Sequence, residues 1–199
     1  MKTVEDPLLQ ELVSFLNQLG TETITHSGDK NYLAHLVAVH RDLLRWGSGL
    51  DIARAGLFHS IYGTEIFQSF KLPVSQRSEL QELIGARAEQ IAFLNCYMDR
   101  HLMDQRVINQ TTNYEVVNRE TGETYQLPRA DWDDLIRLHL CDWMEQLGRM
   151  NWWDYRREGY AAMASHLGGT ALQNYDRVLA MEPDREAGLH VDSKVWETT

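Results

Sequence analysis

Helical spacing of apolar residues dominates this chain and leaves little sequence for a sheet. After Asp6-Pro7, a pair typical of a helix N-cap and first turn, apolar residues recur at helical intervals until Gly20. The stretch 32–46 repeats this pattern and stops at Gly47. The spacing therefore predicts an all-α fold, with further helical segments at about 51–63, 75–103, 131–149, 152–168 and 171–181.

One segment departs from helical spacing. Residues 114–127 place β-forming side chains on both sides of a turn that contains Gly122, which predicts a small hairpin inserted between helices at about 112–128. Elsewhere glycine indicates an interruption. Gly85 lies inside the segment 75–103, so this segment holds either one long helix or two helices that meet at Gly85. Asp51 is the expected cap of the third helix, which should end near Gly63.

The length of 199 residues fits one domain with a substantial core. We expect a single helical domain over residues 1–183, because the composition turns polar and acidic after Pro183. Residues 184–199 are expected to form a tail.

Charge and composition restrict the partners of this chain. A net charge of −10 argues against binding to nucleic acid or to an anionic membrane surface. No apolar run approaches the length of about 20 residues that spans a bilayer, and the N-terminus lacks the apolar region of a signal peptide. Cys96 and Cys141 lie in apolar helical stretches, which favours buried thiols over a disulfide. We therefore expect a cytoplasmic protein that acts on a small molecule.

Two histidines and one carboxylate stand out as candidate metal ligands. His35 and His59 lie in the second and third helical segments, and Asp142 interrupts an apolar helical face. Imidazole and carboxylate are ligands that Mn, Fe and Zn accept, and helices fix the direction of each side chain. A single buried histidine is more often a hydrogen-bonded core residue, so the set of three carries the prediction of a divalent metal site.

The stretches around these residues resemble a known superfamily. Residues 26–39, 55–60 and 138–142 are similar to the HD-domain superfamily of metal-dependent proteins, nearest to the alarmone hydrolase domains of the RelA/SpoT stringent-response family. The resemblance spans about residues 20–150 and is closer in its first half. It implies an HD-like helical bundle in which His35, His59 and Asp142 are the metal ligands.

The chain departs from that family at three places. Ser60 takes the place of the aspartate in the His-Asp doublet, where a carboxylate normally binds the ions. Tyr62-Gly63 replace an acidic pair thought to activate water, and His26 replaces a basic residue that contacts the nucleotide. These departures argue against a two-metal site and against alarmone hydrolysis.

Three further residues are candidates for a catalytic role. Glu145, one helical turn after Asp142, is either a general base or a group that orients a metal ligand. Glu65 is a second candidate base. His26 is a candidate fourth ligand or base, although a loop histidine that caps a helix or faces solvent explains it equally well. Asp99 competes with Asp142 for the carboxylate position.

Aromatic and basic residues admit two readings each. Three tryptophans could line a ligand pocket, but core packing is the commoner role for such residues: Trp143, Trp152 and Trp153. Three arginines could clamp a phosphate or carboxylate, but surface pairing with Asp42 and Asp51 is the commoner role for such residues: Arg41, Arg45 and Arg54.

Three functions agree with these observations. The first is metal-dependent hydrolysis of a small phosphoester or nucleotide-like substrate. The second is a mononuclear non-haem iron oxygenase, because two histidines and one carboxylate are the ligands of the facial triad. The third is a degenerate HD domain without catalysis that binds a partner or forms a homodimer.

Overall fold

The computed structural model describes residues 5–21, 24 and 31–183. Within these residues the chain forms nine helices and one hairpin, so the prediction of an all-α fold with a small β-hairpin is confirmed. The elements in chain order are α1 (Leu9–Gln18), α2 (Tyr32–Arg45), α3 (Leu50–Leu57), α4 (Arg77–Ile84), α5 (Ala86–Tyr97), α6 (Arg100–Ile108), β1 (Glu115–Val117), β2 (Thr124–Gln126), α7 (Arg129–Met150), α8 (Arg157–Leu167) and α9 (Gly169–Leu179).

The helices α2, α3, α5 and α7 pack around the centre of the core. Helix α2 contacts α3 and α7, and α3 also contacts α5. The approach of α2 to α3 is close because Gly56 has no side chain. A Cβ at Gly56 would collide with the side chain of Leu43 and would lie 3.2 Å from Cγ1 of Val39. This packing brings the end of α3 against α2 and α7.

The predicted segment 75–103 is divided among three helices. Gly85, with φ of +95°, separates α4 from α5, as expected from its position. The prediction that this helical run reaches Met103 without a further break was wrong. Met98 is extended, and Asp99 then caps α6 by accepting a hydrogen bond from the backbone N–H of Leu102 at 2.9 Å. The chain leaves the helix here because the Asp99 backbone N–H donates to Val117 of the hairpin at 2.8 Å.

Other helix limits also differ from the prediction. Helix α3 follows Gly49 and ends at Leu57, so it is neither capped by Asp51 nor continued to Gly63. Helix α8 begins at Arg157 instead of near Trp152, because the preceding residue Arg156 adopts a left-handed conformation with φ of +47°.

The hairpin covers part of the core at one end of the bundle. Its two strands are antiparallel, with Val116 opposite Tyr125. Val116 is buried, and so are both free thiols, Cys96 and Cys141. No helix among the described residues is long and apolar enough to cross a membrane. The predicted tail at 184–199 lies outside the described residues, as does His26.

Asp6, which precedes α1, contacts residues on α2 and α3. Its carboxylate accepts two hydrogen bonds from Arg54, at 2.8 and 2.9 Å, and one from the backbone N–H of Leu8 at 3.0 Å. Nε2 of His40 lies 3.4 Å from it. Burial acts to raise the pKa of Asp6, but the hydrogen bonds from Arg54, Leu8 and His40 outweigh burial and lower this pKa from 3.8 to about 2.

We expect this carboxylate to contribute to acid stability. The pKa is lower in the folded state, so the contribution is complete above about pH 4 and is lost as the pH falls towards 2. Urea unfolding should show Asp6→Asn less stable than the native chain by about 2 kcal/mol at pH 6, with the difference shrinking below pH 4. Asp42→Asn, at an exposed pair with Arg45, is the control and should cost less than about 1 kcal/mol. A difference for Asp6→Asn that does not change between pH 6 and 2 would contradict this account.

Candidate metal centre

Three side chains from three separate parts of the fold meet at one buried point. His35 comes from α2, His59 from the turn that follows α3, and Asp142 from α7. Nε2 of His35 lies 3.2 Å from Nε2 of His59. Oδ1 of Asp142 lies 3.1 Å from the first of these nitrogens and 3.2 Å from the second. The three predicted ligands are therefore close enough to hold one metal ion.

Hydrogen bonds at Nδ1 of the two imidazoles define their tautomers. Nδ1 of His59 lies 2.7 Å from the carbonyl oxygen of Gly56, which can only accept, so this nitrogen carries the hydrogen. Nδ1 of His35 donates in the same way to Oε2 of Glu145 at 2.6 Å. In both neutral rings Nε2 is consequently the unprotonated nitrogen. Its lone pair is the group that binds a metal.

With both rings neutral, three acceptor atoms thus face one another without a donor hydrogen between them. Two imidazole lone pairs and a carboxylate oxygen repel at such distances, so a positive charge at the centre stabilises the arrangement. A proton on the Nε2 of an imidazole is one such charge. Burial lowers the pKa of His35, but its hydrogen bonds with Asp142 and Glu145 outweigh burial and raise it. Burial raises the pKa of Asp142, but His59 and His35 hold it well below its usual range. The site favours either a proton or a metal ion at its centre.

The spacing of the three atoms suits a first-row metal. Ligands at a bond length of about 2.1 Å are about 3.0 Å apart on one face of an octahedron and about 3.4 Å apart in a tetrahedron. The observed separations of 3.1 to 3.2 Å lie between these values. Among the described residues, the group of histidine, cysteine and acidic side chains that could hold a metal comprises these three ligands. With three protein ligands, coordination positions remain open for water or substrate.

Surrounding side chains hold the ligands in place. Glu145 accepts from His35 and also from Arg149, at 2.6 Å in both cases. Gln146 donates to Oδ1 of Asp142 at 2.7 Å. Asn95 donates to the backbone carbonyl of His59 at 2.8 Å and thereby fixes the turn after α3. Roles for Gln146, Asn95 and Arg149 were not predicted from the sequence. For Gln146 and Arg149, the helical intervals from Asp142 and Glu145 were the available signal.

Two residues singled out for their departure from the superfamily have other partners. The hydroxyl of Ser60 lies 3.0 Å from the hydroxyl of Tyr32, and both are buried. Tyr62 donates to Glu89 at 2.8 Å, and Arg77 and Gln81 donate to the same carboxylate. Neither residue belongs to the group that could hold a metal ion.

The other candidate catalytic and ligand residues that the structure describes do not belong to the group of three ligands. Glu145 contacts Nδ1 of His35, on the side of the ring away from the other ligands, which fits an orienting group better than a base. The carboxylate of Glu65 is half exposed, and its ion pair is with Arg100 at 3.7 Å. Asp99 is the cap of α6 and is not a member of the metal-binding group.

The aromatic and basic residues have structural partners. Trp143 stacks on Tyr160 with ring centres 4.1 Å apart, as in a packed core. Arg54 pairs with Asp6, and Arg45 pairs with Asp42 at the surface. These contacts explain Trp143, Arg45 and Arg54 without a ligand.

The first half of the chain is similar to one family of protein domains. A family model described as a domain of unknown function, DUF6817, matches residues 15–100, which is less than half of the chain. No curated protein and no solved structure matches the chain significantly. The matched segment includes His35 and His59, while Asp142 lies beyond its end.

Proposed function

We propose that this protein binds one divalent metal ion through His35, His59 and Asp142 and is an HD-like metal-dependent hydrolase of a small phosphoester. The observation that carries the metal proposal is the meeting of three acceptor atoms within 3.2 Å of one another. With both rings neutral, no donor lies between these acceptors, and a divalent cation at the centre would stabilise them.

The HD-like assignment is supported by the order and origin of the ligands. The first histidine lies on a helix, the second follows the next helix, and the aspartate comes from a later helix, as the resemblance implies. Ser60 is hydrogen-bonded to Tyr32 and is not part of the group that could hold a metal ion. We therefore propose a mononuclear site.

The roles of the protein groups follow from their contacts. A bound divalent ion would supply positive charge that polarises a phosphoryl oxygen and makes a water molecule more acidic. His35, His59 and Asp142 would hold it, and their burial limits competition from bulk water. Glu145 would keep the lone pair of His35 directed at the centre through its bond to Nδ1. Arg149 balances the charge of Glu145.

One observation favours the iron oxygenase as a second candidate. Two imidazoles and one carboxylate at nearly equal separations match the ligand set of the facial triad, and an iron ion held by them would keep coordination positions for oxygen and substrate. A phosphoester hydrolase and an iron oxygenase need different metals and co-substrates, so activity assays can distinguish them.

The test begins with protein stripped by chelator and reloaded separately with Mn²⁺, Zn²⁺ and, without oxygen, Fe²⁺. We expect a phosphate-release assay over phosphomonoesters and phosphodiesters to show turnover that depends on metal and is lost in His59→Ala. Oxygen consumption confined to the Fe²⁺ form would favour the oxygenase. If the reloaded protein holds no stoichiometric metal, both enzyme proposals are overturned and the binding module remains. The homodimer and the cytoplasmic location stay predictions.

A further inference from the structure

His139 is a buried histidine that does not belong to the group of three ligands, although both of its ring nitrogens have partners. It lies on α7, one helical turn before Asp142, and is 1% exposed. Its Nε2 lies 2.8 Å from a guanidinium nitrogen of Arg156 and 3.3 Å from the hydroxyl of Tyr160. Its Nδ1 lies 3.1 Å from Oδ1 of Asn95. The ring therefore joins Arg156 to Asn95 inside the core.

The direction of each hydrogen bond in this series is determined by its two ends. A guanidinium can only donate, so Nε2 of His139 accepts from Arg156, and the hydrogen of the neutral ring is on Nδ1. Nδ1 then donates to Oδ1 of Asn95, whose amide nitrogen donates to the backbone carbonyl of His59 at 2.8 Å. Burial, and then the positive charges of Arg156 and Arg100, hold the pKa of His139 well below its usual range, which keeps the ring neutral. Neither the other tautomer of His139 nor a flipped Asn95 amide would satisfy both ends.

Arg156, at the first end of the series, is held in a fixed position. Its backbone has a φ of +47°, a conformation that is costly for a residue with a side chain and persists where the surroundings enforce it. Both carboxylate oxygens of Asp104 accept from its guanidinium, at 2.6 and 2.7 Å. Asp104 fits here because Gly159 has no side chain, and a Cβ at Gly159 would collide with this carboxylate. Arg156 therefore presents a donor to His139 from a fixed point.

His59, at the other end, is the ligand that most needs support from outside its own helix. His35 and Asp142 lie within α2 and α7, where helical hydrogen bonds fix the backbone, whereas His59 follows the end of α3. Its carbonyl accepts from the amide of Asn95 and also from the thiol of Cys96 at 3.2 Å. Two consecutive side chains of α5 thus hold the His59 backbone. Movement of this backbone would displace Nε2 of His59 from the other two ligand atoms.

From these contacts we propose that His139 is a positioning residue of the metal centre. Held by Arg156, it sets the orientation of the Asn95 amide, which in turn holds the backbone of His59. His139 acts through Asn95 and not as a ligand, since the group that could hold a metal ion does not include it. This inference rests on the metal binding of the proposed function and is independent of the reaction that follows.

The first test measures Zn²⁺ affinity of the full chain by competition with a chromophoric chelator. His139→Leu removes both hydrogen bonds of the ring and should weaken Zn²⁺ binding about tenfold to a hundredfold, as for other groups that orient metal ligands. His139→Gln should keep most of the affinity, because its oxygen can accept from Arg156 and its nitrogen can donate to Asn95. The matched control is His166→Leu, which removes a histidine 2.7 Å from Asp133 outside the metal-binding group and should bind Zn²⁺ as the native chain does. Equal affinity in His139→Leu and His166→Leu would overturn the inference.

A double-mutant cycle tests whether His139 acts through Asn95. Asn95→Leu, with a side chain of similar size, should weaken Zn²⁺ binding at least as much as His139→Leu does. The double variant should bind no more weakly than Asn95→Leu alone, because the two residues act in one series. Two losses of affinity that multiply in the double variant would show that His139 acts by another route and would overturn the inference.

A further variant decides the question if His139→Leu does not fold. Asn95→Asp keeps an acceptor for Nδ1 of His139 but replaces the N–H opposite the His59 carbonyl by an oxygen. It should weaken Zn²⁺ binding about tenfold or more. It should also change the visible absorption spectrum of the Co²⁺-loaded protein, which reports ligand geometry and not stability. Native affinity and a native spectrum in Asn95→Asp would overturn the inference.

The metal content of the native chain distinguishes failure of the metal proposal from failure of this inference. A native chain that binds no Zn²⁺ or Co²⁺ would overturn the metal proposal and, with it, the role of His139. A native chain that binds metal, with unchanged affinity in the His139 and Asn95 variants, would overturn the role of His139 alone.

Discussion

Replacing His35, His59 or Asp142 by alanine is expected to remove stoichiometric metal from the protein. Structural zinc sites with four ligands contribute about 10–16 kcal/mol, or roughly 2.5–4 kcal/mol for each ligand. Loss of one ligand out of three should therefore weaken metal binding about 100-fold to 1000-fold. The effect should be similar in the three variants because the three ligand atoms are nearly equidistant. Elemental analysis of protein purified without chelator, followed by titration of the reloaded metal, measures it.

The matched control for this prediction is His101→Ala. His101 is an exposed histidine on α6 whose ring contacts Gln105, and it does not belong to the metal-binding group. It should retain the metal content of the native chain. Retention of metal in His59→Ala at the level of His101→Ala would show that the metal binds elsewhere.

The second large effect is expected at Glu145, which touches no metal. Glu145→Ala removes the acceptor from Nδ1 of His35, so the hydrogen of this ring can move to Nε2 and block the ligand position. Metal affinity should fall about tenfold to a hundredfold, as for other groups that orient metal ligands. Glu145→Gln should lose less, since its amide oxygen can still accept from Nδ1. Competition with a chromophoric chelator measures these affinities.

Glu158→Ala provides the comparison, because Glu158 is an exposed acid in the first turn of α8. It removes the same charge from the protein without touching a ligand. If Glu145→Ala and Glu158→Ala bind metal equally well, the orienting role of Glu145 is wrong.

The sequence predicted those features that depend on local spacing. Apolar periodicity located the helices, and Gly85 marked the break between α4 and α5 because it adopts a positive φ. His35, His59 and Asp142 were identified from residue type and from the superfamily resemblance. The structure brings them together, because Gly56 allows α2 and α3 to approach closely and α7 packs on both.

Other features depend on contacts between distant parts of the chain and could not be predicted from spacing. Met98 leaves the helix because the backbone of Asp99 pairs with the hairpin. The contact of Asn95 with the carbonyl of His59 requires the packing of α5 against the end of α3. The pairing of Arg156 with Asp104 likewise joins residues that are distant along the chain.

The most direct test of the account is anomalous diffraction from crystals of the Mn²⁺- or Zn²⁺-loaded protein, with data collected at the absorption edge of the metal. The account predicts one strong peak per chain, about 2.1 Å from Nε2 of His35, Nε2 of His59 and Oδ1 of Asp142. A loaded protein whose only peaks lie away from these three atoms, or that shows no peak, would contradict it.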